Sequence, residues 1–285
     1  MTQYVALRGR KCLVCQEPLH DRLTENVHPS CILFDDTPGY DPLARKLKSQ
    51  LIDIIKWADK NAARSQQKTI GPSEMGDPCD RRIGYRVAEV PEVNDRFDPW
   101  AAIVGTSIHS WLDEAISSYV LAHGSSSWLT ETRVQISQII GGRSDLFNVD
   151  EACVIDHKGA GPSVMKKTVK DGPGPGYVVQ VQLYGYGYEQ LGLEVKKVAL
   201  AFYPRAGWLR DMYVWTADYD RNVALAAIDR VSRIASQVIE LDALKEGHRW
   251  QQVPATPSDH CGFCPWYVSD REAEVGANGS GCPGR

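Results

Sequence analysis

"GGRSDLFNVDEACVIDHKGA", residues 141–160, reads as two short strands joined by a turn at Asn148 to Glu151, yet it carries Asp145 in the first strand and an Asp-His-Lys triplet in the second. Side chains alternate across a strand, so Asp156 and Lys158 project from one face and His157 from the other. By the same parity Cys153 lies opposite Asp156, where it reads as a small buried hydrophobe. Asp145 and Asp156 fall near each other across the hairpin, and two carboxylates on one face repel unless they share a cation. A divalent metal removes the conflict, and a lysine beside it can hold or deprotonate a water. The end of this hairpin therefore reads as a metal site.

Working outward, "LTETRVQISQII" alternates polar and apolar residues and supplies a third strand in antiparallel succession. Before it, "DPWAAIVGTSIHSWLDEAISSYVLA" has Ile108, Leu112 and Ile116 at helical spacing, with Asp98 and Pro99 as cap and first-turn residues. A helix of about five turns is expected, with His109 beside its apolar face. After the triplet, "SVMKKTVKDGPGPG" reads as a Gly/Pro-rich loop, followed by a helix entered through Pro175 and Gly176. On that helix Gln180 and Tyr184 share a face, and so do Gln182 and Tyr186. Two further strands, "EVKKVALAFYPR" and "LRDMYVWTAD", lead to a long helix over about residues 219–244. Helix, three strands, helix, two strands, helix predicts an α/β fold with a mixed sheet between helices.

The 285 residues are 43% hydrophobic and 24% charged, enough to bury a sizeable core. Neither an apolar run long enough to span a membrane nor a signal-peptide pattern is present, so a cytoplasmic protein is expected. With a net charge of −4 the chain is no polycation, and any nucleic-acid contact must be local. Local basic clusters exist at Arg81, Arg82 and Arg86 and at Lys166, Lys167 and Lys170.

In a reducing compartment the eight cysteines point to metal ligation rather than disulfides. Cys12 and Cys15 are followed by His28 and Cys31, two CxxC-like pairs with the spacing of a tetrahedral Zn2+ site, which predicts a small zinc-binding unit over residues 1–40. Near the other end, Cys261, Cys264 and Cys282 make three ligands that want a fourth. Cys79, in a loop between Pro78 and two arginines, completes the set. Four thiolates alone do not decide between zinc and an iron-sulfur cluster.

The series "GTSIH", "GGRSD", "IDHK" and "QVQLY", in that order, resembles the PD-(D/E)XK nuclease superfamily, in particular its RecB-like and CRISPR-associated exonuclease branch. One cysteine before the histidine and three near the C-terminus are similar to the iron-sulfur members of that branch. The resemblance covers roughly residues 70–285 and implies a restriction-endonuclease-like core within a nuclease domain over 41–285. It implies that His109, Asp145 and Asp156 are ligands of Mg2+ or Mn2+, that Lys158 orients or activates the attacking water, and that Gln180 and Tyr184 form the helix face near the DNA backbone. It also implies a 4Fe-4S cluster on Cys79, Cys261, Cys264 and Cys282. The activity implied is metal-dependent exonucleolytic hydrolysis of DNA, on single strands or ends, in recombination, repair or phage DNA metabolism of a bacterial or phage-infected cell. The alternative is a catalytically inactive, nuclease-like DNA-binding subunit of a recombination or CRISPR-adaptation complex. Besides DNA, a second copy of the chain or recombination and CRISPR proteins stand as partners, and a membrane does not. The chain departs from the family pattern in using Asp rather than Glu before His157, in the long gap between Cys264 and Cys282, and in the added N-terminal unit.

Overall fold

The computed structural model describes residues 41–62, 70–94, 98–137, 140–243, 252–257, 261–268 and 281–284. The expected zinc ligands Cys12, Cys15, His28 and Cys31 lie outside the described residues. Contacts divide the chain into one unit of residues 1–67 and 95–99 and a second of residues 68–94 and 100–285. Helix α1 (Pro42–Asn61) belongs to the first, whereas the sequence-based boundary at residue 40 groups it with the second. It is capped by the Asp41 carboxylate, which accepts from the Leu43 amide at 2.9 Å, and Pro42 occupies its first turn, where no amide donor is needed.

The second unit holds one five-stranded sheet in the order β1-β2-β3-β4-β5 (Trp128–Gln135, Gly141–Asn148, Cys153–Ala160, Lys197–Pro204, Tyr213–Asp218). All neighbours are antiparallel except β3 and β4, which run parallel. A parallel pair needs a crossover, and α5 (Pro162–Asp171) and α6 (Pro175–Gln190) supply it. The remaining helices are α2 (Pro72–Met75), α3 (Asp80–Val87), α4 (Trp100–His123) and α7 (Arg221–Ala243). The mixed sheet with flanking helices agrees with the α/β expectation and is consistent with a restriction-endonuclease-like core.

β4, "KVALAFYP", is buried over five consecutive residues, as a strand covered on both faces should be, whereas β5 alternates half-buried and exposed positions as an edge strand. The core gathers Val154 of β3, Val198, Leu200 and Phe202 of β4, and Val181, Leu183 and Tyr188 of α6. Helix α6 reaches the sheet closely because it is glycine-rich where it touches β1. A Cβ at Gly187 would stand 2.6 Å from Val134 Cβ. That close approach sets how deeply the α6 side chains enter the sheet.

The β2–β3 turn falls where the sequence places it, with the Glu151 amide donating to Asn148 Oδ1 at 2.8 Å. Two expectations are corrected. The stretch after β3 is not a plain loop: Pro162 at the first turn starts α5, and the helix stops where Gly172 takes φ +82°, a conformation other residues avoid. Helix α4 runs 24 residues, longer than five turns, because no breaker intervenes before Gly124 at φ +58°.

Candidate active site

The β2–β3 ladder pairs only Leu146 with Ile155, Phe147 with Val154 and Asn148 with Cys153. It stops where the next opposed residues would be Asp145 and Asp156. The strands part there, and the backbone amide of His157, released from the ladder, donates to Asp145 Oδ2 at 2.7 Å. Asp145 Oδ1 lies 3.2 Å from Nδ1 of His109, which α4 presents to it. The ring of His157, on the opposite face of β3 from Asp156, sits edge-on to His109 with centroids 6.0 Å apart and lies 3.3 Å from the Tyr203 hydroxyl through Nδ1.

From the other side, α6 delivers Gln180. Its amide nitrogen donates to Asp156 Oδ1 at 2.9 Å, while its carbonyl oxygen accepts from Lys158 Nζ at 2.9 Å. Lys158 Nζ also stands 2.5 Å from Asp156 Oδ2. Asp156 is 1% exposed, and apart from that ammonium its Oδ2 has no hydrogen-bond donor. Gln180 thus bridges the carboxylate and the ammonium, as a bifunctional amide can. The register of the two candidate glutamine-tyrosine pairs follows directly. Gln182 is turned away from the site, donating to the Asp218 carbonyl and accepting from the Asp220 amide. Tyr184 is buried one turn past Gln180, and its hydroxyl titrates above the ordinary tyrosine range through burial and the nearby Asp156 charge.

The two aspartates are held in opposite protonation regimes. Burial pushes Asp156 up to about 6, against the pull of Lys158 and with a further push from Asp145. Burial also acts on Asp145, but its hydrogen bond to His109, the His109 charge and the His157 amide outweigh it and hold the carboxyl below its ordinary value. The hydrogen bond to Asp145 raises His109 above the usual imidazole range, whereas burial lowers His157. The result is a buried carboxylate pair with one imidazole and one ammonium around it.

Oxygen donors with an imidazole suit a hard or borderline divalent ion. Among the described residues no three His, Cys, Asp or Glu side chains are already drawn into a complete metal cage. Mg2+ does not require one, since it keeps several waters and takes one or two carboxylates. The donor-poor Oδ2 of Asp156 and the mutual repulsion of the two aspartates fit such an ion.

Three residues at the site escape the sequence reading. Tyr177 carries the Lys158 ammonium 4.8 Å above its ring; its position three residues before Gln180 was the available signal. Glu131 occupies β1 opposite Asp145, where the β1–β2 pairing is interrupted and Glu131 adopts φ +45°. Burial and the Asp145 charge raise its carboxyl. Nothing in "LTETRVQ" marks it. The His157 amide acts through the backbone, which no residue type announces.

The four cysteines expected to act together, Cys79, Cys261, Cys264 and Cys282, line one cavity of about 60 Å³ and form no disulfide. Arg81, 4% exposed, donates through Nη1 to Cys282 Sγ at 3.2 Å and through Nε to the Val253 carbonyl at 2.9 Å. Burial raises the Cys264 thiol. The wall is completed by Tyr85, edge-on to Trp266 with centroids 5.5 Å apart.

The model of the PD-(D/E)XK nuclease superfamily matches residues 122–268, just over half of the chain, and the chain belongs to that superfamily. Among solved structures it is similar to an alkaline exonuclease from Laribacter hongkongensis, at 15% identity over 64% of this chain and 94% of that chain, with a TM-score of 0.46. It is also similar to a phage-related exonuclease from Haemophilus somnus 129PT, at 14% identity over 62% of this chain and 96% of that one, with a TM-score of 0.43. No curated protein matches the chain.

Proposed function

We propose that this protein is a metal-dependent deoxyribonuclease acting as an exonuclease on single-stranded DNA or DNA ends. The observation that carries the reading is the clamp of Asp156, Lys158 and Gln180 facing Asp145 at the open end of β2 and β3, in a chain of the PD-(D/E)XK superfamily. Asp145 and Asp156, with His109, would hold Mg2+ or Mn2+, which when bound stabilises charge on the scissile phosphate and lowers the pKa of a bound water.

The chain's own residues do the rest. Lys158 has three N–H donors, of which two meet Gln180 and Asp156, so one remains for the attacking water or a phosphate oxygen. Attack by that water forms a new P–O bond and breaks the bond to the leaving sugar oxygen. Gln180 keeps Lys158 and Asp156 in register, and Tyr184 fixes the helix face behind them. His109 and the His157 amide keep Asp145 ionised and oriented. Burial of the whole group strengthens each of these interactions. Among the described residues no helix is long and apolar enough to cross a membrane.

The cysteine-lined cavity belongs to the same reading as a 4Fe-4S cluster site on Cys79, Cys261, Cys264 and Cys282. Its support is that the thiols share a cavity and that the buried Arg81 donates to one of them, Cys282, with a charge that suits thiolates. Cys12, Cys15, His28 and Cys31 would hold Zn2+ in the N-terminal unit, on the strength of their spacing.

End-labelled linear DNA incubated with the purified protein tests the function. Mn2+-dependent release of short products from single strands or ends is expected, with Asp156→Ala inactive. A folded wild-type protein that binds Mn2+ and cleaves no DNA would make it a nuclease-like binding subunit instead. Protein prepared without oxygen should be brown and contain iron; colourless protein with zinc at the four cysteines would overturn the cluster and keep its ligands.

A further inference from the structure

The hairpin joining β4 to β5 leaves the sheet beside the active site. In the parallel pairing Lys158 opposes Phe202 and Ala160 opposes Pro204, and the Arg205 amide donates to the Ala160 carbonyl at 2.9 Å. The loop is thus fastened two residues past Lys158. Trp208 follows Pro204 by four residues, which places it within about 25 Å of Lys158 along the chain path. Gly207, at φ +115°, turns the backbone in a way an L side chain resists. The turn carries Trp208 and Leu209 outward, 66% and 73% exposed.

An exposed tryptophan at a hairpin tip leaves a large apolar face in water, and it is not left loose. The Arg210 guanidinium lies over one face of the Trp208 ring, 4.9 Å from its centroid, and backs the indole so that its other face can meet a base. At the site itself Tyr177, 41% exposed, carries the Lys158 ammonium above its ring. An aromatic face and a cation therefore occur together twice, once at the candidate site and once on the hairpin that follows β4. Nucleic acid presents the complementary pair, a π-face and a phosphate, and it exposes base faces only where it is unpaired. A duplex offers phosphates along its whole length and open base faces only at its two end pairs.

Resting on the nuclease reading above, we infer that Trp208 with Arg210 forms a base-stacking subsite for an unpaired DNA strand whose reacting end lies at Tyr177 and Lys158. The subsite gives the enzyme its preference for single strands over blunt duplex. Arg210 neutralises phosphate and orients the indole, while Trp208 supplies the stacking surface.

The test measures binding of the full chain to a labelled single-stranded oligonucleotide and to the blunt duplex of the same sequence, with a chelator present so that no cleavage occurs. Trp208→Ala should weaken single-strand binding roughly thirtyfold, the middle of the range for loss of one stacked base. Duplex binding and the melting temperature should be unchanged, and Trp208→Phe should retain most of the affinity. Single-strand binding equal to wild type in Trp208→Ala, or an equal loss on both substrates, would overturn the subsite. The two readings fail separately. A wild-type protein without metal-dependent cleavage that still loses single-strand binding on Trp208→Ala keeps the subsite and removes the nuclease. Cleavage that depends on Asp156 together with unaltered binding in Trp208→Ala keeps the nuclease and removes the subsite.

Discussion

The active-site end of the hairpin and the cysteine-lined cavity are both polar clusters inside the same unit, but they are assembled in opposite ways. At the first, Asp145, Asp156 and Lys158 come from two adjacent strands, and the strands give up their pairing to bring the charges together. At the second, Cys79 precedes α3 while Cys261, Cys264 and Cys282 come from the far end of the chain, and Arg81 fastens that end to α3. The first concentrates like charge that the fold alone does not neutralise. The second ties distant segments together. One is therefore expected to cost stability in exchange for chemistry, and the other to supply stability without touching the reaction.

The largest effect should come from the tie. Cys282→Ala removes the sulfur that meets the buried Arg81 and disturbs the bridge between Tyr267 and Cys282. Arg81 keeps the Val253 carbonyl through Nε, and the loss of the acceptor at its buried, charged Nη1 costs about 3 kcal/mol, or on the order of 10 °C in melting temperature for a chain of this size. Thermal melts check it. A melt equal to wild type would remove the structural role of this region.

The opposite sign is expected at the active site. Asp156 has its carboxyl raised from 3.8 to about 6, so the metal-free fold favours the protonated form. That preference contributes fully below the unfolded value and is lost as pH rises through about 6. Asp156→Asn carries no such penalty. Its stability relative to wild type should grow between about pH 4 and 6 and level off above, reaching on the order of 3 kcal/mol. Denaturant melts across that range, in chelator, measure the difference, and Mn2+ should narrow it by stabilising wild type alone. A pH-independent difference would mean that Asp156 is not strained by burial.

A finer cut runs through α6, where two glutamines two residues apart have separate duties. Gln182→Ala breaks the contacts to Asp218 and Asp220 and should cost about 1–2 kcal/mol of stability with little change in turnover. Gln180→Ala should do the reverse, lowering turnover by about tenfold or more while the melt moves little, since it loosens Lys158 against Asp156. The same pattern for both variants would erase the distinction.

These two residues also show how far the sequence could be read. Strand alternation and residue type were enough to put Asp156 and Lys158 on one face and His157 on the other, and the order of the five strands with α4, α6 and α7 emerged from hydrophobic period, caps and turns. Helical spacing allowed either glutamine, because it relates residues on one helix and says nothing of which face meets the sheet; only the close seat of Gly187 on Val134 decides that. α5 was missed because its Gly/Pro-rich exit at residues 172–176 dominated the reading of the lysine-rich turns before it. Tyr177, Glu131 and Arg81 depend on tertiary neighbours, and the His157 contribution is a backbone amide that any residue type could have supplied.

The central claim is that Asp156 holds the metal and Lys158 handles the water, and a single paired measurement reaches it. Mn2+ binding by calorimetry and cleavage of end-labelled single-stranded DNA are followed for wild type, Asp156→Ala and Lys158→Ala. The account predicts that both variants lose on the order of a hundredfold or more in cleavage rate, that Asp156→Ala also loses Mn2+ binding, and that Lys158→Ala binds Mn2+ as wild type does. Cleavage surviving in Asp156→Ala, or Mn2+ binding lost equally in both, would contradict it.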